Sequence, residues 1–180
     1  LREADTVGVF QVESRAQMAT LPRMKPERFY DLVVEVAIIR PGPIVGKMVH
    51  PYLRRKQGLE PVTYLHPSLG PILHDTLGVI LYQEQVMRIA IDVAGFTPAG
   101  SDAFRRAMGT YRSEREMEKL HVEFVDGCER LHGMPRDDAE ELFRRCAAFA
   151  SFGFAKSHAA AFARTAYESS FLKLFYPAQF

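Results

Sequence analysis

The chain has 180 residues, of which 47% are hydrophobic and 25% are charged, and its formal net charge is +1 at pH 7. This composition is typical of a soluble globular protein with one or two domains, and the net charge by itself does not indicate a nucleic-acid partner. No apolar run approaches the roughly 20 residues that a membrane span requires, and no signal peptide is present. We therefore expect a cytoplasmic protein without a membrane partner. The chain lacks a starting Met, which favours a piece of a longer protein.

The predicted elements are almost all helices. In chain order they are expected at about 13–18, 26–39, 44–58, 83–93, 98–109, 113–131, 135–149 and 157–175. Pro26 and Pro98 are assigned to the first turns of their helices, where a missing N–H costs nothing, and Gly109 is assigned as a C-cap. The apolar run at 79–82 is the best candidate for an extended segment. We predict a mainly α fold, an irregular multi-helix domain with at most a short extended segment near residues 79–82.

The segment 151–159 combines a glycine-containing loop with the start of a helix. Gly153 permits a turn or a close approach, Ser157 is a good N-cap, and the alanine-rich run after it favours a helix. Lys156 and His158 flank the helix N-terminus, where unpaired N–H groups and the positive end of the helix dipole favour a phosphate. The simpler interpretation is a capped helix whose lysine faces solvent. For this segment alone that interpretation is favoured, because caps are far commoner than phosphate sites.

Other cations also stand at helix ends or on loops. Arg105 and Arg106 come late in a helix, and arginine is suited to bidentate contact with phosphate. Their alternative role is a favourable interaction with the helix C-terminus. Adjacent arginines on a helix point about 100° apart, so one can bind a ligand while the other pairs with an acid. Arg40 stands on a rigid Pro-Gly-Pro loop. Together with Lys156, these residues indicate binding of a polyphosphate.

No pattern of metal ligands or of an activated nucleophile is present in the sequence. There is neither a His-Glu-x-x-His motif nor a Cys/His cluster, so no metal site is predicted. The acidic residues at 137–141 are interpreted as charge that favours a helix start. Ser157 and His158 are neighbours on one helix and do not face each other, so they are not predicted to form a nucleophile–base pair. Cys128 and Cys146 are predicted to be buried free thiols.

Five motifs occur in an order that resembles a known family. They are Gly8-Val9-Phe10-Gln11-Val12-Glu13-Ser14, Arg40-Pro41-Gly42-Pro43, Leu81-Tyr82-Gln83-Glu84-Gln85-Val86-Met87, Arg105-Arg106-Ala107-Met108-Gly109 and Phe152-Gly153-Phe154-Ala155-Lys156-Ser157-His158. Over essentially the whole chain they resemble the bacterial C-family DNA polymerases, that is, the alpha subunit of DNA polymerase III. The segments 21–26 and 29–36 resemble the error-prone branch more than the replicative one. At residues 155–156 the chain departs from the Pro-Glu that many error-prone members carry and is closer to the replicative pattern.

This resemblance implies the fingers region of such a polymerase, an α-rich domain that closes over the incoming deoxynucleotide. Residues 1–25 would form a boundary segment toward the palm, and residues 26–180 the helical fingers domain. His158 would be a candidate for sensing the sugar. Gln83 and Glu84 match the family, but the sequence assigns them no contact. Carried over by motif, the nucleotide-binding residues would be Arg105, Arg106, Lys156, Ser157, His158, Gly153 and Arg40.

The resemblance also implies a DNA-directed DNA polymerase, a nucleotidyltransferase that acts in replication or error-prone DNA repair. The catalytic aspartates of the family, which hold two Mg²⁺ ions, belong to the palm and would lie before Leu1. This chain alone is therefore expected to hold no catalytic residue and to be inactive. Implied partners are the DNA template–primer, dNTP, the palm and thumb of the same polypeptide, and a sliding clamp bound through regions outside this chain. The alternative is a helical nucleic-acid-binding or scaffold module with no nucleotide site.

Overall fold

The computed structural model describes the backbone of residues 1–39, 45–109, 114–150 and 153–180, and the side chains within these ranges except those of 45–50, 109, 114 and 150. The helices are α1 (Arg15–Met24), α2 (Phe29–Ile38), α3 (Val45–Lys56), α4 (Gly70–Leu73), α5 (Gln83–Arg88), α6 (Pro98–Gly109), α7 (Glu114–His132), α8 (Arg136–Ala150) and α9 (Lys156–Phe175). Two 3-10 turns, Pro67–Leu69 and His74–Thr76, flank α4, and a π-helical turn, Ile89–Val93, continues α5. The structure is 69% helical, and its described residues include no strand, so the predicted mainly α fold is confirmed.

The chain divides into two compact units. Unit 1 combines Leu1–Pro61 with Phe154–Phe180, and unit 2 is the continuous segment Val62–Gly153. Unit 1 therefore contains α1, α2, α3 and α9, and unit 2 contains α4 to α8. The predicted division into a boundary segment, 1–25, and a helical domain, 26–180, concerns the position of the palm and stays a prediction.

Helix α2 forms the core of unit 1. Its residues from Asp31 to Ile38 are all buried, so this helix is covered on every side rather than along one apolar stripe. Helix α9 packs along it and presents Ala159, Ala163 and Ala166, each with no exposed surface. These three positions follow helical spacing and share one buried face of α9, and Ala166 packs with Val9, Val12 and Leu21. The alanines of α9 thus serve the packing of unit 1 as well as helix formation.

The start of α2 differs from the prediction that Pro26 opens this helix, which is wrong. Asp31 accepts hydrogen bonds from the backbone N–H groups of Glu27, at 2.8 Å, and Arg28, at 3.0 Å, which holds these residues outside the helix. The helix therefore begins at Phe29. Nζ of Lys56 lies 2.6 Å from Oδ1 of Asp31 and joins the end of α3 to this turn. Burial raises the pKa of the Asp31 carboxyl, but the Lys56 and backbone hydrogen bonds together hold it below its usual range.

Aromatic side chains fill the core of unit 2. Phe104 of α6 and Phe124 of α7 stack with ring centres 5.3 Å apart, and Phe143 of α8 meets both rings edge-on. The predicted free thiols, Cys128 and Cys146, have no exposed surface and form no disulfide, so that prediction is confirmed. Since α6, α7 and α8 each contribute one ring, the cluster fixes all three helices against one another.

A buried glutamine holds the segment 79–82, where we predicted an extended segment. Gln85 accepts hydrogen bonds from the backbone N–H groups of Leu81, at 2.8 Å, and Tyr82, at 3.1 Å. Its amide nitrogen donates to Oγ1 of Thr76, at 2.8 Å, and to the carbonyl of Ile72, at 3.3 Å. The backbone at Tyr82 is extended, with φ −124° and ψ 146°. The side chain of Gln85 therefore satisfies backbone groups that a neighbouring strand would otherwise pair with.

Other helix ends follow the local signals. Helix α6 begins at Pro98, and Oγ1 of Thr97 accepts a hydrogen bond from the N–H of Gly100 at 3.0 Å, as expected for a capped start. The predicted start of the next helix at residue 113 lies outside the described residues. Helix α7 contacts the turn after the π-helix through Gly127, where an added Cβ would overlap the carbonyl of Ala94. Because glycine has no side chain, α7 can approach that backbone closely at this position.

Candidate nucleotide-binding site

Gly153, the predicted loop glycine, is the last residue of unit 2 and lies against Gln83 at the start of α5. The side-chain amide of Gln83 donates to the carbonyl of Gly153 at 3.0 Å, across 70 residues of sequence. A Cβ added to Gly153 would lie 2.5 Å from Cγ of Gln83. The backbone of Gly153 is outside the left-handed region, so close packing and not a tight turn requires glycine here.

Helix α9 begins one residue earlier than predicted. Lys156 is its first residue, and the N-cap is Ala155, with φ −72° and ψ 129° and no side-chain capping bond. The prediction that Ser157 is the N-cap is therefore wrong, because Ser157 is already inside the first turn. Since the first N–H groups of any helix have no partner within it, the backbone of Lys156, Ser157 and His158 still belongs to the turn that favours an anion.

Three aromatic contacts, all within unit 1, orient the side chains of Lys156 and His158. Nζ of Lys156 lies 5.1 Å from the centre of the Tyr30 ring, over its face. The exposed imidazole of His158 lies between Phe154 and Phe162, with ring centres 5.1 Å and 4.0 Å away. Each ring restricts the rotamers of its neighbour, so Lys156 and His158 are partly ordered before any ligand binds.

Both predicted phosphate-binding arginines of α6 share one carboxylate. Nη2 of Arg105 lies 2.9 Å from Oδ1 of Asp102, and Nη2 of Arg106 lies 3.0 Å from Oδ2 of the same residue. The side chain of Arg105 is 29% exposed and that of Arg106 is 62% exposed. Asp102 therefore holds the two guanidinium groups side by side and leaves a net charge of +1 on the three residues.

The same arrangement occurs elsewhere, so it does not by itself mark a ligand site. Glu141 pairs with both Arg144 and Arg145 on α8, at 2.9 Å and 2.8 Å. The hydrogen bond from Arg145 holds the pKa of the Glu141 carboxyl below its usual range. The arginines of α6 differ from those of α8 because they belong to the family motif at residues 105–109. Arg144 and Arg145 on α8 therefore provide a matched control for them.

The predicted site residues are distributed over both units. Arg105, Arg106 and Gly153 belong to unit 2, whereas Lys156, Ser157 and His158 belong to unit 1. Arg40 lies outside the described residues. Lys156, Ser157 and His158 share one helical turn, and Arg105 and Arg106 share one carboxylate. The roles of these residues in binding a nucleotide stay predictions.

The sequence assigned no contact to several residues that touch the predicted ones. Asp102 stands three and four positions before the two arginines of α6, a spacing at which side chains meet on a helix, so it was readable from the sequence. Tyr30 and Phe162 could not be assigned, because their contacts depend on how α2 and α9 pack. Gln83 matched a motif, but its partner is 70 residues away.

Neither metal ligands nor a membrane span stands out in the described residues. Among them, no three His, Cys, Asp or Glu side chains come together in a way that could hold a metal ion. None of the helices in the described ranges has the length and apolar character needed to cross a bilayer.

Comparison with known proteins defines the class of this domain. Residues 1–132 match the model of the bacterial DNA polymerase III alpha subunit finger domain. The chain belongs to this family of polymerase finger domains. All 180 residues align at 57% identity with proteins named error-prone DNA polymerase from Mycobacterium bovis and Mycobacterium tuberculosis, and at 53% with one from Corynebacterium glutamicum. The chain spans only 16–17% of the length of these relatives. The resemblance stated from the five motifs is thus confirmed, including its lean toward the error-prone branch.

Proposed function

We propose that this chain is the fingers region of a bacterial DNA polymerase III alpha-type enzyme and that it binds the triphosphate of an incoming dNTP opposite a DNA template–primer. The observation that carries the proposal is membership of the finger-domain family together with the cationic groups on α6 and at the start of α9. The names of the relatives favour a role in error-prone synthesis, in DNA repair or replication. We also expect the protein to be cytoplasmic.

The arginine pair on α6 has the chemistry that a triphosphate requires. A guanidinium carries five N–H donors, and Asp102 occupies two of those of Arg105, Nε at 3.3 Å and Nη2 at 2.9 Å. The remaining donors can contact phosphate oxygens while the carboxylate keeps both groups in place. A shared carboxylate also lowers the entropy that each arginine loses when a ligand binds. Asp102 would thus orient the arginines without neutralising the pair.

The start of α9 supplies a second group of donors. Its first-turn N–H groups and the ammonium of Lys156 favour an anion, and the ring of Tyr30 limits the positions of that ammonium. His158 is exposed and flanked by two phenylalanine rings, which suits a flat contact with a sugar or base. We propose that this turn contacts the incoming nucleotide.

Nucleotidyl transfer depends on positioning and on charge stabilisation more than on covalent work by the protein. In our proposal, Mg²⁺ held by residues outside this chain would polarise the reacting phosphate and activate the attacking hydroxyl. The residues of this chain would bind the triphosphate, neutralise charge on the departing pyrophosphate and exclude water as the domain closes. Residues 1–180 alone should therefore not extend a primer. Primer extension by this chain would contradict the assignment of the metal-dependent step to residues outside it.

The rest of the polymerase polypeptide is the partner that we propose for the exposed apolar surface of unit 1. The last turns of α9 and the residues after it expose Phe171, Leu172, Leu174, Phe175 and Tyr176. Several of them line a cleft of about 800 Å³ together with Leu1 and Phe180. Since the relatives are about six times longer than this chain, other parts of the polymerase, including the palm and thumb, can cover this surface. Amide hydrogen exchange in 171–176 should be slower in the full polymerase than in residues 1–180. The sliding clamp would bind outside this chain.

The test of the nucleotide site is Arg105→Ala in the full-length polymerase, with Arg145→Ala as the matched control. A lost hydrogen bond between charged groups costs about 1.5–3 kcal/mol, so KM for dNTP should rise roughly 10- to 150-fold. Arg145→Ala removes an arginine paired in the same way and should leave KM unchanged. Equal KM values for both variants would refute the nucleotide site and favour a helical scaffold or nucleic-acid-binding module.

A further inference from the structure

The side chain of Gln83 contacts the loop of the proposed nucleotide site. Gln83 is the first residue of α5, and its amide donates to the carbonyl of Gly153 at 3.0 Å. The neighbouring motif residue Gln85 is used differently, because its amide satisfies backbone groups of the segment 79–82 and of Ile72. The two glutamines of one motif thus hold two different loops of unit 2.

The contact between Gln83 and Gly153 is close as well as polar. A Cβ on Gly153 would lie 2.5 Å from Cγ, 3.1 Å from Nε2 and 3.2 Å from Cδ of Gln83. Real Cβ atoms do not approach other atoms to 2.5 Å, so a side chain here would displace that of Gln83. The φ angle of Gly153 is outside the left-handed region, so alanine suits the backbone, and the three nearest atoms that its Cβ would meet all belong to Gln83.

We propose that Gln83 is a positioning residue for the nucleotide site: it fixes the carbonyl of Gly153, where the chain leaves unit 2 and continues to Lys156. This inference rests on the proposed function. Gly153 is the final residue of unit 2, and Lys156 follows three residues later as the first residue of α9. A hydrogen bond at this point restricts the backbone at Gly153, itself one of the proposed site residues, and rigid support of this kind reduces the ordering that a ligand must impose.

The chemistry of the bond restricts which side chains can replace Gln83. A carbonyl oxygen only accepts, so residue 83 must donate. Gln83→Glu keeps the shape of the side chain but places a carboxylate oxygen against the carbonyl, and Gln83→Ala removes the donor. Both variants should raise KM for dNTP in the full-length polymerase by about two- to tenfold, the range expected for one partly buried hydrogen bond. A role in folding alone would lower the fraction of active enzyme, and hence kcat, without changing KM.

The decisive experiment is a double-mutant cycle on Gln83→Ala and Gly153→Ala in the full-length polymerase, measured as KM for dNTP with active-site titration. Gly153→Ala alone should raise KM about as much as Gln83→Ala, because it displaces the glutamine. The double variant should show no further increase, since the side chain that conflicts with the new methyl group is gone. Gly70→Ala is the control, because a Cβ there meets nothing within 4 Å.

The outcomes separate this inference from the proposed function. A raised KM for Arg105→Ala with unchanged KM for Gln83→Ala and Gln83→Glu overturns the inference and leaves the nucleotide site intact. Additive effects in the cycle overturn it as well, because they show that the two residues act independently. An unchanged KM in all of these variants overturns both proposals. A raised KM in Gln83→Glu and a non-additive cycle support the positioning role.

Discussion

Glu35 is a buried carboxyl group whose protonation should control the stability of unit 1. It lies in the middle of α2 with no exposed surface, and among the described residues neither carboxyl oxygen has a hydrogen-bond partner. Burial raises the pKa of Glu35 from its usual 4.5 to about 8. The side chain therefore remains protonated in the folded protein at neutral pH, because an unpaired charge is costly inside a protein.

The direction of the pH effect follows from this raised pKa. Between pH 4.5 and about 8 the unfolded chain releases the proton of Glu35, whereas the folded chain keeps it. The free energy of unfolding therefore falls as pH rises through this window, by about 1.4 kcal/mol per pH unit. Over the whole window this amounts to about 5 kcal/mol, an upper limit that local opening or water entry would reduce. Below pH 4.5 the contribution of Glu35 is constant.

Replacing Glu35 by glutamine should remove this pH dependence, because the amide has nearly the same shape and does not titrate. Urea unfolding of the chain, followed by circular dichroism, gives the free energy of unfolding of both proteins at about pH 4 and about pH 8. At the lower pH the two should agree within about 1 kcal/mol, and at the higher pH Glu35→Gln should be more stable by several kcal/mol. Glu118→Gln, an exposed position on α7, controls for the change in net charge.

A stability difference between Glu35→Gln and the parent that stays constant with pH would refute this reasoning. So would a variant that is less stable than the parent at high pH, because that result requires an ionised and well-paired Glu35. Either outcome would mean that burial does not determine the protonation of this carboxyl.

Two further predictions concern unit 2. Gly127→Ala should lower the free energy of unfolding by about 1–3 kcal/mol, because its Cβ would overlap the carbonyl of Ala94, whereas Gly70→Ala meets open space and should change it by less than about 1 kcal/mol. Equal effects in urea unfolding would contradict the close approach of α7. Burial raises the pKa of the Cys128 thiol to about 12 and raises that of Cys146 as well, so a thiol-specific disulfide reagent should modify neither until the protein unfolds. Rapid modification of the folded protein would show that these thiols are accessible.

Local sequence signals predicted the start of α6 correctly and misplaced the starts of α2 and α9. The start of α6 at Pro98 follows from a cap and a proline in adjacent positions. At Pro26 the proline was the only signal, and α2 begins later because Asp31 accepts hydrogen bonds from the two N–H groups before the helix. Ser157 was predicted as the N-cap of α9, but Ala155 occupies that position without any side-chain hydrogen bond, so the helix begins earlier, at Lys156.

The candidate site shows which contacts a sequence can reveal. The pairing of Asp102 with Arg105 and Arg106 follows from helical spacing, because residues three and four positions apart meet on a helix. A pairing with an acid was expected, but Asp102 was not identified as that acid. The burial of Glu35 depends on how the other helices of unit 1 pack around α2, which no pattern within residues 29–38 predicts. The contact of Gln83 with Gly153 likewise joins residues 70 positions apart. Such long-range contacts depend on how the helices and loops pack. The motif therefore identified Gln83 but could not predict its partner.

The order of the two units along the chain has a consequence for synthesis on the ribosome. Unit 2 is one continuous segment, Val62–Gly153, so all of its residues are synthesised before α9. Unit 1 is completed only by Phe154–Phe180, and its central helix α2 packs along α9. Domains fold as their residues become available, so unit 2 should fold first while α2 remains without its partner. The apolar residues of α2 must then stay free of aggregation during translation of more than a hundred residues, and chaperone binding to the nascent chain would be expected in this interval.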